Sequence, residues 1–212
     1  IRLDSDLVEW FKSKAEAQGG GNYQTMLNDA LRAFVQNQDQ SLEKLLRKVI
    51  EVDTFEDLQV PLTVTATKMG TGELVVLDKG DLFPALKASS ALPGVFSPQE
   101  IDGEMLIDGG AVTPLPISVV PAKDPIVISD VSVNLDLLKD DPNMVQLLRQ
   151  FVYILQKQVI TRDLEDLKRP HVLLRPDVHE WDFLELRNDP RLFIRGQEAV
   201  QDKLSAIRKL LH

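Results

Sequence analysis

Ala88-Ser89-Ser90-Ala91-Leu92-Pro93-Gly94-Val95-Phe96 and, shortly after it, Ile107-Asp108-Gly109-Gly110 are the stretches that decide how this chain is read. In the second, an apolar run ends in a carboxylate followed by two glycines. That order puts Asp108 at a strand end, where the backbone turns sharply and another group can approach closely. A carboxylate in that position suits an active site.

Outward from these blocks, helical and β-rich patterns alternate. Leu42, Leu45, Leu46, Val49 and Ile50 form a helical stripe, and Val60 to Thr67 and Glu73 to Leu77 read as strands around the turn Gly70-Thr71-Gly72. Leu82 to Ala91 reads as a short helix and Glu104 to Ile107 as a strand. Ile126 to Val131 is nearly continuously apolar, as in a buried parallel strand. A long helix from Asn143 to about Leu167, a strand from His171 to Arg175 and a helix from about Gln197 to Leu211 complete the pattern. Helices alternating with buried strands predict a layered α/β domain.

Together with Val64-Thr65-Ala66-Thr67, Thr71-Gly72-Glu73, Thr113-Pro114-Leu115-Pro116, Leu173-Leu174-Arg175-Pro176-Asp177 and Gly196-Gln197-Glu198-Ala199, the two blocks resemble the second half of the patatin-like phospholipases. The resemblance runs in order from about Leu42 to Leu211. It implies an α/β fold, part of a patatin-like three-layer sandwich with a mostly parallel sheet. It also implies a lipid acyl hydrolase acting on lipid or ester substrates without a cofactor, through a serine-aspartate dyad. In that dyad the serine attacks the ester carbonyl, the aspartate is its general base, and a glycine-rich loop donates N–H groups to the oxyanion. By position Asp108 is the dyad aspartate, with Gly109 and Gly110 shaping the turn. Lys68 departs from the family, standing near where many relatives carry an acidic residue.

The family's nucleophile lies upstream in a Gly-x-Ser-x-Gly elbow, and no such elbow occurs in this sequence. None of Ser5, Ser13, Ser41, Ser89, Ser90, Ser97, Ser118, Ser129, Ser132 and Ser205 sits between glycines at that spacing. Ser89 and Ser90 match the family's structural helix, and Gly19-Gly20-Gly21 follows a helix where an oxyanion loop would follow a strand. His171, His179 and His212 supply neither a triad nor a metal-ligand pair. An aspartate without its nucleophile cannot complete acyl transfer, so this chain alone is expected to be inactive as an esterase. Residues 41 to 212 are also expected to leave an unpaired strand edge. A deletion, an engineered join, a gap closed up in the sequence and a second chain supplying the first half all remain open.

The first 40 residues read as a separate module. Ile1-Arg2-Leu3 is a short strand, Asp4-Ser5-Asp6 offers N-cap chemistry, and Leu7, Val8, Phe11 and Ala15 recur at helical spacing. Gly19-Gly20-Gly21 ends that helix. After Asn22 the pairs Met26/Leu27, Ala30/Leu31 and Phe34/Val35 stripe a second helix. The polar run Gln36-Asn37-Gln38-Asp39-Gln40 reads as a linker or a frayed helix end, giving domains 1–40 and 41–212. One strand and two helices cannot enclose this stripe, so a homodimer is expected. Ile1-Arg2-Leu3-Asp4, Trp10-Phe11 and Gly20-Gly21-Asn22-Tyr23-Gln24-Thr25 resemble the ribbon-helix-helix antitoxins of bacterial toxin-antitoxin operons. That resemblance implies a two-fold dimer reading DNA with paired strands: Arg2 faces outward, and amides near Asn22 meet a phosphate. The plainer alternative is a helical hairpin docked on the rest of the chain.

Charge narrows these possibilities. The 212 residues carry 24 basic and 33 acidic groups, a net charge of −9. Residues 1–40 hold 4 basic and 6 acidic groups, 41–130 hold 7 and 14, and 131–212 hold 13 and 13. Broad attraction to nucleic acid or an anionic bilayer is therefore excluded, and DNA contact is expected to be weak. No cysteine is present, which removes disulfides and thiolate metal sites and fits the cytoplasm. Apolar stretches fall far short of the roughly 20 residues a bilayer span needs, so an integral membrane protein is not expected. Besides the hydrolase, two readings stay open: a DNA-binding regulator with an inert hydrolase remnant, and an inactive scaffold.

Overall fold

The computed structural model describes residues 5–17, 22–93, 95–132, 144–178 and 189–211. The expected strand Ile1–Leu3, the triple glycine, Gly94 and the side chains of Leu27, Leu31, Phe34 and Val35 lie outside the described residues. The chain forms two compact units, Ile1–Gly109 and Gly110–His212.

In the first unit, α1 (Ser5–Ala17) lies against α2 (Tyr23–Leu46). The α2 helix begins where expected: Asn22 is its N-cap, and the side-chain oxygen accepts the Gln24 N–H at 2.9 Å. It continues without a break through Gln36–Gln40, so the linker expected there is helix interior. Docking explains the difference. Asp39 accepts the Ser97 N–H at 3.0 Å, Leu42 is buried, Glu43 pairs with Lys87, and the Arg47 guanidinium stacks 3.8 Å from the centre of the Phe83 ring. These contacts hold a run whose own composition does not favour burial.

Beyond α2, four strands pair in the order β2-β1-β4-β3: β1 Val64–Lys68, β2 Leu74–Leu77, β3 Gln99–Ile101 and β4 Glu104–Asp108. All three pairings are antiparallel, against the mostly parallel sheet expected. Short hairpins dictate this for β1–β2 and β3–β4, since parallel neighbours need a crossover of a dozen or more residues; β1 and β4 meet antiparallel across the longer connection that holds α3. Asp102 and Gly103, at φ 52° and 77°, make the two-residue turn between β3 and β4, the type I′ geometry that suits a twisted ribbon. Helix α3 (Leu82–Ser89) covers one sheet face, where Ala66 and Ala88 are fully buried beside Leu106, and Phe55, Leu82 and Ala85 form an adjoining cluster.

In the second unit, β5 (Ile126–Ser129) and β6 (His171–Leu174) pair in parallel, joined through α4 (Met144–Glu165), while α5 (Pro190–Leu210) lies against β6. Leu115, Ile126, Ile128 and Ile160 form its core, with Ile117, Leu164, Leu167 and Leu173 packed around them. The parallel pairing expected of Ile126–Val131 is present. The full burial is not: inward residues alternate with the exposed Val127, Ser129 and Val131, so one face of β5 is covered and the other is not. Helix α5 starts seven residues before the expected Gln197, with Asp189 accepting the Arg191 N–H and Pro190 in its first turn.

Candidate active site

Asp108 is the last residue of β4, an interior strand, and sits opposite Ala66 of β1. With a strand period of two, Asp108 shares its sheet face with Leu106, Ala66 and Val75, the face packed on α3. The carboxylate singled out in the sequence is thus partly buried at a strand end and on the same side as the Ser-Ser-Ala-Leu-Pro block.

Backbone hydrogen bonds join the two blocks. The Asp108 N–H donates to the carbonyl of Ala91 at 3.1 Å, and the Asp108 carbonyl accepts the Thr67 hydroxyl at 3.0 Å. Gly109 then passes so close to β1 that a Cβ there would lie 2.5 Å from both the carbonyl oxygen and the Oγ1 of Thr65. Only glycine fits that approach. Thr65 and Thr67 are buried polar residues whose part in the site the sequence pattern does not announce. Their signal is two hydroxyls alternating with Val64 and Ala66 along β1. Gly110 begins the second unit, where its carbonyl accepts the Gln156 side-chain amide at 2.9 Å.

The serines nearest in sequence are structural, as expected. Ser89 ends α3, and Ser90 caps it, donating its N–H to the carbonyls of Leu86 and Lys87. Lys68, the departure from the family pattern, bridges Glu73 on one side and Glu104 on the other at 3.2 and 3.4 Å. Hydrogen bonding to Glu73 and then Glu104 raises its pKa and keeps the ammonium charged. Among the described residues no group of three or more His, Asp or Glu side chains could hold a metal ion.

Of the residues implicated in DNA contact, Arg2 lies outside the described residues, and Asn22 caps α2. The amides of Gln24, Thr25 and Met26 are all engaged by Asn22, through its side chain or its carbonyl.

The family model for patatin-like phospholipases matches residues 20–121, and that for the BrnA antitoxin of type II toxin-antitoxin systems matches residues 1–35. Both families read from the sequence are thereby found again; the phospholipase match ends at residue 121, short of the tail read as part of that resemblance, and the two matches overlap on α2. Uncharacterized NTE family proteins of Mycobacterium bovis and of Mycobacterium tuberculosis are 37% identical over 95 residues, 43% of this chain and 26% of theirs. The chain therefore spans about a quarter of the length of these relatives. Among the described residues no helix is long and apolar enough to cross a membrane.

Proposed function

We propose that this chain represents the aspartate-bearing half of a patatin-like lipid acyl hydrolase, with Asp108 as the general base of a serine-aspartate dyad. The observation that carries the reading is the fastening of Asp108-Gly109 to Ala91 and Thr65, inside the stretch that matches the phospholipase family. The reading takes lipid or ester substrates, needs no cofactor, keeps residues 41–212 as the hydrolase part and places the chain in the cytoplasm. The test supplies a segment carrying a Gly-x-Ser-x-Gly elbow, fused upstream of Leu42 or added as a separate chain, and follows ester hydrolysis. Asp108→Asn keeps the shape but cannot take up the serine proton, and lowers the rate about a hundredfold or more. Asp102→Asn, in an exposed turn, leaves it unchanged. Equal rates with Asn at 108 would remove the assignment.

A second reading is favoured by the antitoxin match: residues 1–40 form a dimeric DNA-binding module, and the hydrolase part is inert. Here Arg2 reads the DNA, and a phosphate at Asn22 has to displace the bonds that Asn22 makes to the Gln24, Thr25 and Met26 amides. With so few cations, a dimer neutralises few phosphates and its logarithmic salt slope is on the order of −4 to −7. Tight, salt-insensitive binding, or unchanged operator discrimination by Arg2→Ala, contradicts this reading. Leu31→Asp tests the dimer by sedimentation, since an unpaired carboxylate in that stripe is strongly disfavoured.

A further inference from the structure

On α2, Asp39, Glu43 and Arg47 recur every four residues and so share one face of the helix. Each is engaged outside α2. Glu43 pairs with Lys87 of α3, Arg47 stacks on the Phe83 ring, and Asp39 reaches past α3 to accept the Ser97 N–H at 3.0 Å. Ser97 lies in neither a helix nor a strand. Its peptide groups are held by side chains instead, the N–H by Asp39 and the carbonyl by the side-chain amide of Gln99 at 2.9 Å. From there a short run of backbone bonds leads to the aspartate turn. Phe96, next to Ser97, donates to the carbonyl of Leu92 at 3.1 Å, and the carbonyl of Ala91, next to Leu92, accepts the Asp108 N–H at 3.1 Å. The near end of this segment is anchored on α3, where Ser90 and Ala91 donate to the carbonyls of Leu86, Lys87 and Ala88. Its far end is anchored by Asp39.

We propose that Asp39 is a positioning residue for Asp108: through Ser97 it fixes the 90–97 segment whose Ala91 carbonyl holds the Asp108 N–H. The proposal rests on the reading of Asp108 as general base. Asp108 is gripped on two sides, its carbonyl by Thr67 of a regular strand and its N–H by Ala91 of an irregular segment. Irregular backbone opens more readily than a paired strand, so an added anchor changes most on the Ala91 side. The carboxylate of Asp39 makes its bond to Ser97 charge-assisted, roughly twice as strong as a neutral one. The contacts of Glu43 and Arg47, one and two turns further along α2, keep the helix that carries Asp39 on α3. The aspartate turn is thereby built in part on the helix that also belongs to the antitoxin match. A boundary at residue 40 separates Asp39 from the turn it serves. A base displaced by a fraction of its hydrogen-bond reach loses rate without losing substrate affinity.

The test uses the full chain with Asp39→Ala, which removes the acceptor and favours the helix, and Asp39→Asn, which keeps an acceptor oxygen. Asp39→Leu, similar in shape and without an acceptor, stands in where Asp39→Ala does not fold. Amide hydrogen exchange is followed by NMR. Asp39→Ala is expected to speed exchange at Ser97 and Asp108 about tenfold, the effect of one lost hydrogen bond. The Phe55 and Lys68 amides, bonded to the carbonyls of Gly80 and Glu73, stay unchanged, and Asp39→Asn leaves all four as they were. Equal acceleration at all four amides makes Asp39 a general stability contact and overturns the proposal, as does unchanged exchange at Asp108. In a second arm a segment carrying the Gly-x-Ser-x-Gly elbow is added as a separate chain and ester hydrolysis is measured. Asp39→Ala lowers kcat by roughly tenfold to a hundredfold with KM little changed, and Asp39→Asn restores it. Hydrolysis that needs Asp108 but is indifferent to Asp39→Ala overturns the positioning role alone. Hydrolysis indifferent to Asp108→Asn removes the reading of Asp108 and with it the catalytic use of Asp39, while the exchange arm still decides whether Asp39 holds the turn.

Discussion

Adding one methyl group at Gly109 would place a carbon 2.5 Å from two oxygens of Thr65, one of them a backbone carbonyl that cannot swing aside. Gly109→Ala therefore forces β1 and β4 apart and lowers stability by about 1–3 kcal/mol, the usual cost of overpacking, read as a shift in urea midpoint. Thr67→Val is isosteric but leaves the Asp108 carbonyl without its hydroxyl donor. Asp130 is expected to contribute acid sensitivity to the second unit. Burial alone would raise its pKa, but hydrogen bonds from Ser132 and from Arg175 outweigh burial and hold the carboxyl below the ordinary 3.8. Its folded pKa lies below its unfolded one, so its stabilisation is fully present above pH 3.8 and is lost as pH falls through the folded value. Asp130→Asn should lower neutral-pH stability by about 1–2 kcal/mol and flatten the acid limb of the stability profile. An unchanged acid limb assigns that sensitivity to other groups.

At the scale of elements, most helices and strands were legible because their apolar periodicity and caps agree with what the fold uses. Asn22 before α2 and the apolar run of β5 are examples. Two elements were misread for physical reasons. β3 is three residues long with an ordinary composition, and only its Asp102-Gly103 turn announces it. The polar run 36–40 looks like a linker because local composition cannot register the later contacts of Asp39, Leu42 and Arg47. Gln38→Pro checks the helix directly: a proline in a helix interior costs about 3 kcal/mol, so helicity by circular dichroism and thermal stability should both fall. Unchanged values would return the segment to a linker. Arg169 is a second element-scale device. Its guanidinium donates to the carbonyls of Ile117, Val120, Pro121 and Asp124, at 2.6 to 3.4 Å, and so pins the loop that leads into β5. A lysine ammonium cannot reach four carbonyls fanned around a planar fork. Arg169→Lys should therefore cost roughly 1–3 kcal/mol in thermal unfolding.

Across the whole molecule, chemistry is divided unevenly. The chain carries a fastened aspartate but no elbow serine, so a fluorophosphonate probe should label no serine in this protein. Stoichiometric labelling mapped to any of them would reveal a nucleophile that the sequence pattern does not disclose. The sequence by itself determined the two resemblances, the strand-end aspartate with its glycines, the starts of α2 and α3 within a residue, and the parallel character of β5. All of these rest on residue type and spacing over a few positions. Tertiary structure alone decided that Thr65 and Thr67 secure the aspartate turn, that the four-stranded sheet is antiparallel, that α2 runs unbroken onto α3, and that β5 pairs with β6 alone among the described residues. Each depends on which segments meet across tens of residues, and a hydrogen bond or a steric limit between distant groups leaves no periodicity in the chain that makes it.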